Sequence, residues 1–324
     1  MKKFVIDEKN SGQKLFRFIK NVLPQFKNSD IFKLVRKKVV KINDKKTEPD
    51  YILSAEDVVE IFLNDTHFEH KAKKKKFQSV NSNIDVVFED KDILVINKPK
   101  GLLSQPADGD YKNSVYEMAR SYLYAKGEYD PKGAFTPALC HRLDKNTSGL
   151  LVIAKNHAAL QNVTAMLRER KTFKSYKTIV SGKIDKSFFV SSVIDASAEK
   201  VRINSFKKSS NTPPDKIVFL MDNPELSAIV VNPELTENGI SLVNVDLWTG
   251  KKHQIRVQLT ESGYPLLGDW KYFNSNSIKK SEELKVSSYF LHAYKLKLEN
   301  YPEFTAELPK DFFITIKLLF RENQ

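Results

Sequence analysis

The chain has 324 residues, long enough for a large core and for two domains. With 41% hydrophobic and 29% charged residues it reads as a globular protein; it has no membrane-length apolar run and no signal-like N-terminus, and its single cysteine, Cys140, excludes an intrachain disulfide and points to a reducing, cytoplasmic setting. A net charge of +13 calls for a polyanionic partner, and 19 basic against 11 acidic residues among the first 76 put +8 of it in the N-terminal quarter.

In chain order, Leu15, Phe18, Ile19 and Val22 fall at helical spacing with one apolar face, and Pro24 stops the helix. Ser29 or Asp30 can cap a second helix with Ile31, Leu34 and Val35 inward and Lys33, Arg36, Lys37 and Lys38 in water. Val39–Ile42, a turn at Asn43-Asp44, and Asp57–Phe62 read as short strands. This order, and above all Lys33–Asn43 ending at Asp57–Ile61, resembles the S4 RNA-binding domain, although the opening stretch Gly12–Phe18 lacks that family's usual Arg-Leu-Asp. The resemblance implies that Lys33, Arg36, Lys37 and Lys38 contact RNA, where phosphate contacts position a protein without reading sequence. Residues 65–83 then read as a basic linker, with the run Lys71-Ala72-Lys73-Lys74-Lys75-Lys76 serving as phosphate clamp, solvated tether or both.

From Ile84 strand-like runs repeat. Asp85–Asp90 and Ile93–Ile96 form a hairpin leading to Asn97-Lys98-Pro99-Lys100-Gly101, and Asn113–Lys126 has helical character. Next comes His141-Arg142-Leu143-Asp144-Lys145-Asn146-Thr147-Ser148-Gly149-Leu150, a polar loop running into an apolar strand. An isolated aspartate in such a loop serves as a cap. Asn156 caps a helix with Leu160, Val163 and Leu167 on one face; Lys174–Gly182 alternates as a strand, placing Tyr176, Thr178 and Val180 together. Thr249 can cap a further helix, ended by Gly263 and Pro265, that sets His253 and Arg256 one turn apart.

Taken together, the decapeptide around Asp144, the Asn-Lys-Pro-x-Gly stretch, the Lys-x-Tyr at 174–176, the segment Thr249–Leu259 and the pair of segments Gly263–Asp269 and Leu291–Ala293 resemble the motifs of the RluA family of pseudouridine synthases, from about residue 84 to 320. Gln105, Lys251-Lys252 and Gln258 depart from the family pattern. The resemblance implies an α+β chain: an S4-like RNA-binding module over 1–64, the linker over 65–83, and a pseudouridine-synthase domain over 84–324 with a mostly antiparallel mixed sheet and flanking helices.

It also implies roles. Pseudouridylation breaks the N1–C1′ bond of uridine, turns the uracil and rejoins it through C5, with no net change in atoms or electrons, so neither metal nor cofactor is required. Asp144 attacks C1′ or removes the C2′ proton. Arg256 keeps that carboxylate ionised through a guanidinium fork. Tyr176 holds the detached uracil, Arg142 fills the gap left by the flipped nucleotide, and Lys98 lies among the RNA contacts. The expected partner is RNA, 23S ribosomal RNA ahead of tRNA, with no membrane and no obligatory protein partner.

Two other readings are weighed. His141, Asp144, His253 and His292 have metal-ligand chemistry, yet the sequence lacks an H-E-x-x-H, paired cysteines or a dense carboxylate cluster. A non-catalytic RNA-binding or ribosome-assembly factor would be expected to have lost Asp144, Tyr176 or Arg256, and all three are present. Cys140 reads as a small buried filler, not a nucleophile.

Overall fold

The computed structural model describes residues 1–68, 80–107, 114–131, 133, 135–197 and 200–320. The lysine run of the expected linker, and Asn113 at the head of the expected helix, lie outside the described residues. Contacts gather the chain into two compact units, one of Met1–Val95, Gln105–Arg142 and Leu151–Thr164, the other of Ile96–Ser104, Leu143–Leu150 and Ala165–Gln324.

The first unit begins with β1 (Lys2–Val5), α1 (Leu15–Val22), α2 (Asn28–Arg36), β2 (Val40–Ile42), β3 (Lys45–Lys46) and β4 (Val58–Ile61), the strands forming an antiparallel sheet in the order β1-β4-β2-β3. Leu15, Phe18, Ile19 and Val22 of α1 are buried, against Ile31 and Val35 of α2 and Ile42, Val59 and Ile61 of the sheet, while Phe16 is half-buried. Each such side chain contributes on the order of 1.5–3 kcal/mol by leaving water, and that burial, more than intrinsic propensity, holds an eight-residue helix together. Asn43 and Asp44 both take positive φ, at 51° and 62°, as a two-residue hairpin turn between β2 and β3 demands. One cap differs from expectation. Helix α2 starts at Asn28, and Asp30 sits inside its first turn, where the carboxylate accepts the Lys27 backbone N–H at 3.2 Å.

The unit continues with β5 (Val86–Glu89), the first half of β6 (Ile93–Lys98), α3 (Val115–Ala125), β7 (Ala138–Leu139), the end of β8 (Ser148–Ala154) and most of α4 (His157–Arg168). Asn156 caps α4 as expected, Oδ1 accepting the Ala159 N–H at 2.8 Å. The inner face of α4 is rotated from expectation: His157, Ala159 and Val163 are buried, while Leu160 and Leu167 are half-buried. Gln161 of this helix donates to the Gly12 carbonyl at 3.2 Å, so the first unit joins the N-terminal residues to α4.

The second unit contains β9 (Phe173–Ser181), β10 (Phe188–Asp195), β11 (Arg202–Ser209), α5 (Lys216–Asp222), β12 (Leu226–Glu237), β13 (Ile240–Leu247), α6 (Gln254–Glu261), α7 (Ser275–Glu283), β14 (Leu291–Lys297), β15 (Glu303–Thr305) and α8 (Lys310–Leu319). Its sheet runs β11-β10-β12-β13-β9-β14 and then the start of β8, with β15 beside β14. Pairing is antiparallel except where β14 meets β8, with His292 opposite Ser148 and Ala293 opposite Gly149. This is the α+β, mostly antiparallel mixed sheet that the motifs implied. Gly149 is required at the parallel contact: its φ is 108°, and a Cβ there would lie 2.3 Å from the Ala293 carbonyl oxygen. Behind the sheet, Ile179 and Leu242 pack with Leu267, Phe290 and Phe312, closing the core beneath β9 and β13.

Candidate active site

Asp144 sits on the loop before β8, inside the second unit, and that loop is tied down on both flanks. Leu143 is held by Ser104, whose hydroxyl donates to the Leu143 carbonyl at 2.7 Å and accepts its N–H at 3.0 Å. Lys145 is held by Lys98 and Gly101. Lys98 Nζ donates to the carbonyls of Pro99, Leu102 and Lys145 at 3.0, 2.8 and 3.1 Å, and the Gly101 N–H donates to the Lys145 carbonyl at 2.9 Å. Burial pulls the Lys98 ammonium down to about 7 while Asp144 opposes the shift; three carbonyl oxygens match its three N–H bonds. The expected RNA contact at Lys98 is thereby corrected: the residue is 0% exposed and organises the loop from within. Asn97-Lys98-Pro99-Lys100-Gly101 and the Asp144 decapeptide are two halves of one construction.

The Asp144 side chain retains 27% exposure, open to an incoming ligand, and its Oδ2 accepts from Arg256 Nη1 at 3.2 Å. The guanidinium fork, however, is not given to Asp144. Arg256 Nε and Nη2 grip Asp269 at 2.7 and 2.9 Å, in a pair with the Asp269 side chain 1% exposed. Asp269 Oδ1 also accepts the N–H groups of Lys271 and Tyr272 at 3.0 and 3.1 Å. The rings of Tyr289 and Tyr272 lie 4.4 and 5.0 Å from the guanidinium carbon. Burial by itself would lower the Arg256 pKa; the bond to Asp269 and the surrounding negative charge reverse that, and the cation is held firmly. One carboxylate thus fixes the guanidinium and a second receives its remaining edge, a division of labour that geometry makes possible because an arginine has five N–H bonds in one plane.

Arg256 reaches this position from a helix that begins later than expected. Thr249 does not cap α6. Its hydroxyl donates to Gln254 Oε1 at 2.8 Å and accepts the Ala228 N–H at 3.1 Å, so Thr249-Gly250 serves as a turn tied to β12. The cap position belongs to His253, in the left-handed region at φ 54°. This backbone kink turns the imidazole toward Asp144, with Nε2 3.7 Å from Oδ2, while Nδ1 lies 2.7 Å from the Tyr272 hydroxyl. That hydroxyl also accepts the Val201 N–H at 3.0 Å, so the ring is anchored on its Nδ1 side and its Nε2 edge faces the carboxylate. Burial, chiefly, lowers the His253 pKa, against the pull of Asp144. Gln258, where the family pattern has histidine, is fully buried and donates to Ser192 Oγ and the Ser227 carbonyl, both at 2.9 Å, binding α6 to β10 and β12.

Tyr176, on β9 between β13 and β14, is 8% exposed, and its phenol is pushed up by burial and then by the Asp144 charge. It therefore stays protonated at neutral pH, presenting a ring and a neutral hydroxyl. Burial also pushes the Tyr289 phenol up to about 12. Arg142, at the end of a segment of the first unit, is exposed and reaches Gln105 Oε1 at 3.5 Å. His141 Nε2 accepts the Val152 N–H at 3.3 Å, a structural contact beneath β8. His292 is fully buried, Nδ1 2.9 Å from Ser148 Oγ and Nε2 3.2 Å from the Ala306 carbonyl, with burial lowering its pKa to about 4. Cys140 is half-buried, not fully buried as expected, and burial pushes its thiol up to about 12, away from the thiolate a nucleophile needs. Among the described residues no three histidine, cysteine or acidic side chains gather as a metal would require.

Asp269, Tyr272 and Tyr289 were missed as site residues. Asp269 had a visible signal in the Gly268-Asp269 pair that closes the 263–269 segment; the tyrosines had none, since an aromatic in a sequence carries no mark of which cation it covers.

A family model described as RNA pseudouridylate synthase matches residues 92–261, a span that includes Asp144, Tyr176 and Arg256. The chain belongs to the RNA pseudouridine synthases. An RNA pseudouridine synthase of Mycoplasma capricolum is 30% identical over 311 residues, covering 93% of this chain and 92% of that one. The ribosomal large subunit pseudouridine synthase C of Haemophilus influenzae is 28% identical over 312 residues, with 93% and 88% covered. In fold, the human RNA pseudouridylate synthase domain containing 4 superposes with a TM-score of 0.56 at 23% identity, over 72% of this chain and 91% of that one. The family is of the RluA type, its members are isomerases and its substrate class is RNA, so the non-catalytic reading loses its support.

Proposed function

We propose that this chain isomerises specific uridines in structured RNA, large-subunit ribosomal RNA before tRNA, through Asp144 acting on the ribose of a flipped nucleotide. The carrying observation is the arrangement at Arg256: Asp269 takes the fork, and the remaining Nη1 stands 3.2 Å from a carboxylate that is still open to solvent. An anion held this way can attack C1′ or take the C2′ proton. The N1–C1′ bond breaks, the uracil turns against the Tyr176 ring, C5 bonds to C1′, the C5 proton departs to solvent and N1 gains one. The Nε2 edge of His253, 3.7 Å from Asp144 Oδ2, closes one side of the carboxylate. These steps draw on no metal or cofactor.

The choice of ribosomal RNA follows the relatives named as acting on the large ribosomal subunit. The S4-like residues 1–64, joined by 65–83 to the catalytic domain 84–324, supply docking: Lys33, Arg36, Lys37 and Lys38 are all exposed and suited to phosphates, and exposed Arg142 is suited to the place vacated by the flipped base. Among the described residues no helix is long and apolar enough to cross a membrane; the proposed setting is the cytoplasm.

The test uses RNA carrying tritium at uracil C5. The wild-type chain should release label, and Asp144→Asn should lower release by at least about 10³-fold while still binding RNA. Label release untouched by that substitution would end the assignment.

A further inference from the structure

Outside the catalytic unit, α2 carries an unusual exposed aromatic. Phe32 is 50% exposed, with one face stacked on Phe16 at 4.9 Å between centroids and 24° between planes. A core residue would be covered, and a solubilising face would not place a phenyl ring here. The open side of Phe32 lines a groove of about 510 Å³ between α2 and the segment after β3, where Lys33, Arg36 and Lys46 stand around it with Glu48 and Pro49. Among the described residues none of the three cations has an ion-pair or hydrogen-bond partner. Three unpaired positive charges against the one carboxylate of Glu48 leave the groove cationic.

An aromatic face ringed by unpaired cations suits a ligand that is flat and apolar in one part and anionic in the next, which describes successive nucleotides of an unpaired RNA strand. A duplex does not fit, because its bases are stacked on one another and offer no free face to a ring. A phospholipid surface would want apolar residues around Phe32, and a second copy of the chain would bring the same positive charge to meet its own.

We infer that the Phe16–Phe32 stack is a platform for one unpaired base of the substrate RNA, with Lys33, Arg36 and Lys46 holding the flanking phosphates. The inference rests on the reading of residues 1–64 as an RNA-docking module and makes it more definite: the module grips a single-stranded segment, and Phe32 contributes through stacking instead of charge. Each base stacked on an aromatic side chain contributes enough that its removal costs roughly tenfold in affinity.

The experiment measures binding of the full chain to two fluorescein-labelled probes, a 12-nucleotide oligocytidine and a blunt 12-base-pair RNA duplex, by anisotropy across a salt series. Oligocytidine contains no uridine for the catalytic site to act on. Phe32→Ala and Phe32→Leu should each weaken oligocytidine binding about tenfold, leave the duplex within about twofold, and leave the salt dependence unchanged. Phe32→Leu keeps an apolar side chain over Phe16, so a loss shared by both variants with unaltered melting is a loss of stacking. The triple variant Lys33→Gln, Arg36→Gln, Lys46→Gln should weaken both probes and flatten the salt dependence. If the charge variant weakens binding and the Phe32 variants do not, the platform is wrong and the docking module stands. If neither set changes binding while tritium release persists, the docking reading itself is wrong and the isomerase stands. A concentration-dependent dimer that Phe32→Ala dissolves would assign the face to a second copy and overturn the inference.

Discussion

The surroundings of Asp144 and the outer face of α2 use positive charge in opposite ways. Around Asp144 the cations are buried and fully engaged: Lys98 on three carbonyls, Arg256 on two carboxylates and between two tyrosines. On α2 and in the turn just after it, Lys33, Arg36, Lys37 and Lys38 are exposed to solvent. The contrast follows from what each charge must do. A group that sets the position of one carboxylate has to be immobile, so the fold surrounds it with partners. A group that meets a large, variable polyanion needs reach, and partners would only compete. Substitution in the first region should therefore cost catalysis and stability together, whereas substitution in the second should cost affinity alone.

The sharpest break is expected at the Arg256–Asp269 pair. Arg256→Lys keeps the charge but loses the fork, and should lower kcat at least about 100-fold with Asp144 intact; Asp269→Asn leaves a buried guanidinium short of its main partner and should destabilise the fold by about 3 kcal/mol, measured by urea unfolding. If either variant keeps full activity, the orientation of Arg256 is not what serves Asp144. Lys98→Met comes next: with three carbonyls deprived of their donor, the Asp144 loop should loosen, lowering both Tm and kcat, while the KM for RNA moves little because the side chain touches no ligand. A raised KM alone would return Lys98 to the RNA contacts.

A pH titration of stability separates buried from exposed charge. His292 has its pKa lowered to about 4 from an ordinary 6.5, so the folded state favours the neutral ring. Its contribution is complete above about pH 6.5 and is lost as pH falls from there toward 4, reaching roughly 3 kcal/mol. His292→Asn should remove that part of the slope from a series of denaturation curves. The smallest effect belongs to α2. Replacing Lys33, Arg36, Lys37 and Lys38 with Gln should raise KM about tenfold in low salt and less in high salt, with kcat and Tm nearly unchanged. A matching loss in kcat would mean that the two regions are not separable.

Much of this was visible before any coordinates. Periodicity marked α1, and short-range chemistry marked the Asn43-Asp44 turn and the Asn156 cap, because those depend on residues within a few positions of one another. The decapeptide, the Lys-x-Tyr and the Thr249–Leu259 stretch pointed to Asp144, Tyr176 and Arg256, which lie in the second unit with Arg256 bonded to Asp144. Errors gathered where two distant segments compete for one group. Thr249 looked like a cap because the sequence does not show that Ala228 and Gln254 use its hydroxyl. Lys98 looked like an RNA contact because a lysine between asparagine and proline gives no sign of burial. Arg256 was matched with Asp144 alone because Asp269 belongs to another stretch.

The residue sequence by itself determined the family and the order of the elements, and it singled out Asp144, Tyr176 and Arg256 as the residues proposed for the chemistry, since these reside in local spacing and short motifs. Only the tertiary structure decided how the cation is shared, that His253 turns its Nε2 edge toward Asp144, and that Lys98 works inside the loop. Those are outcomes of competition among partners that are remote in the chain and meet only after folding, when burial makes each unsatisfied polar group costly and so leaves few arrangements open.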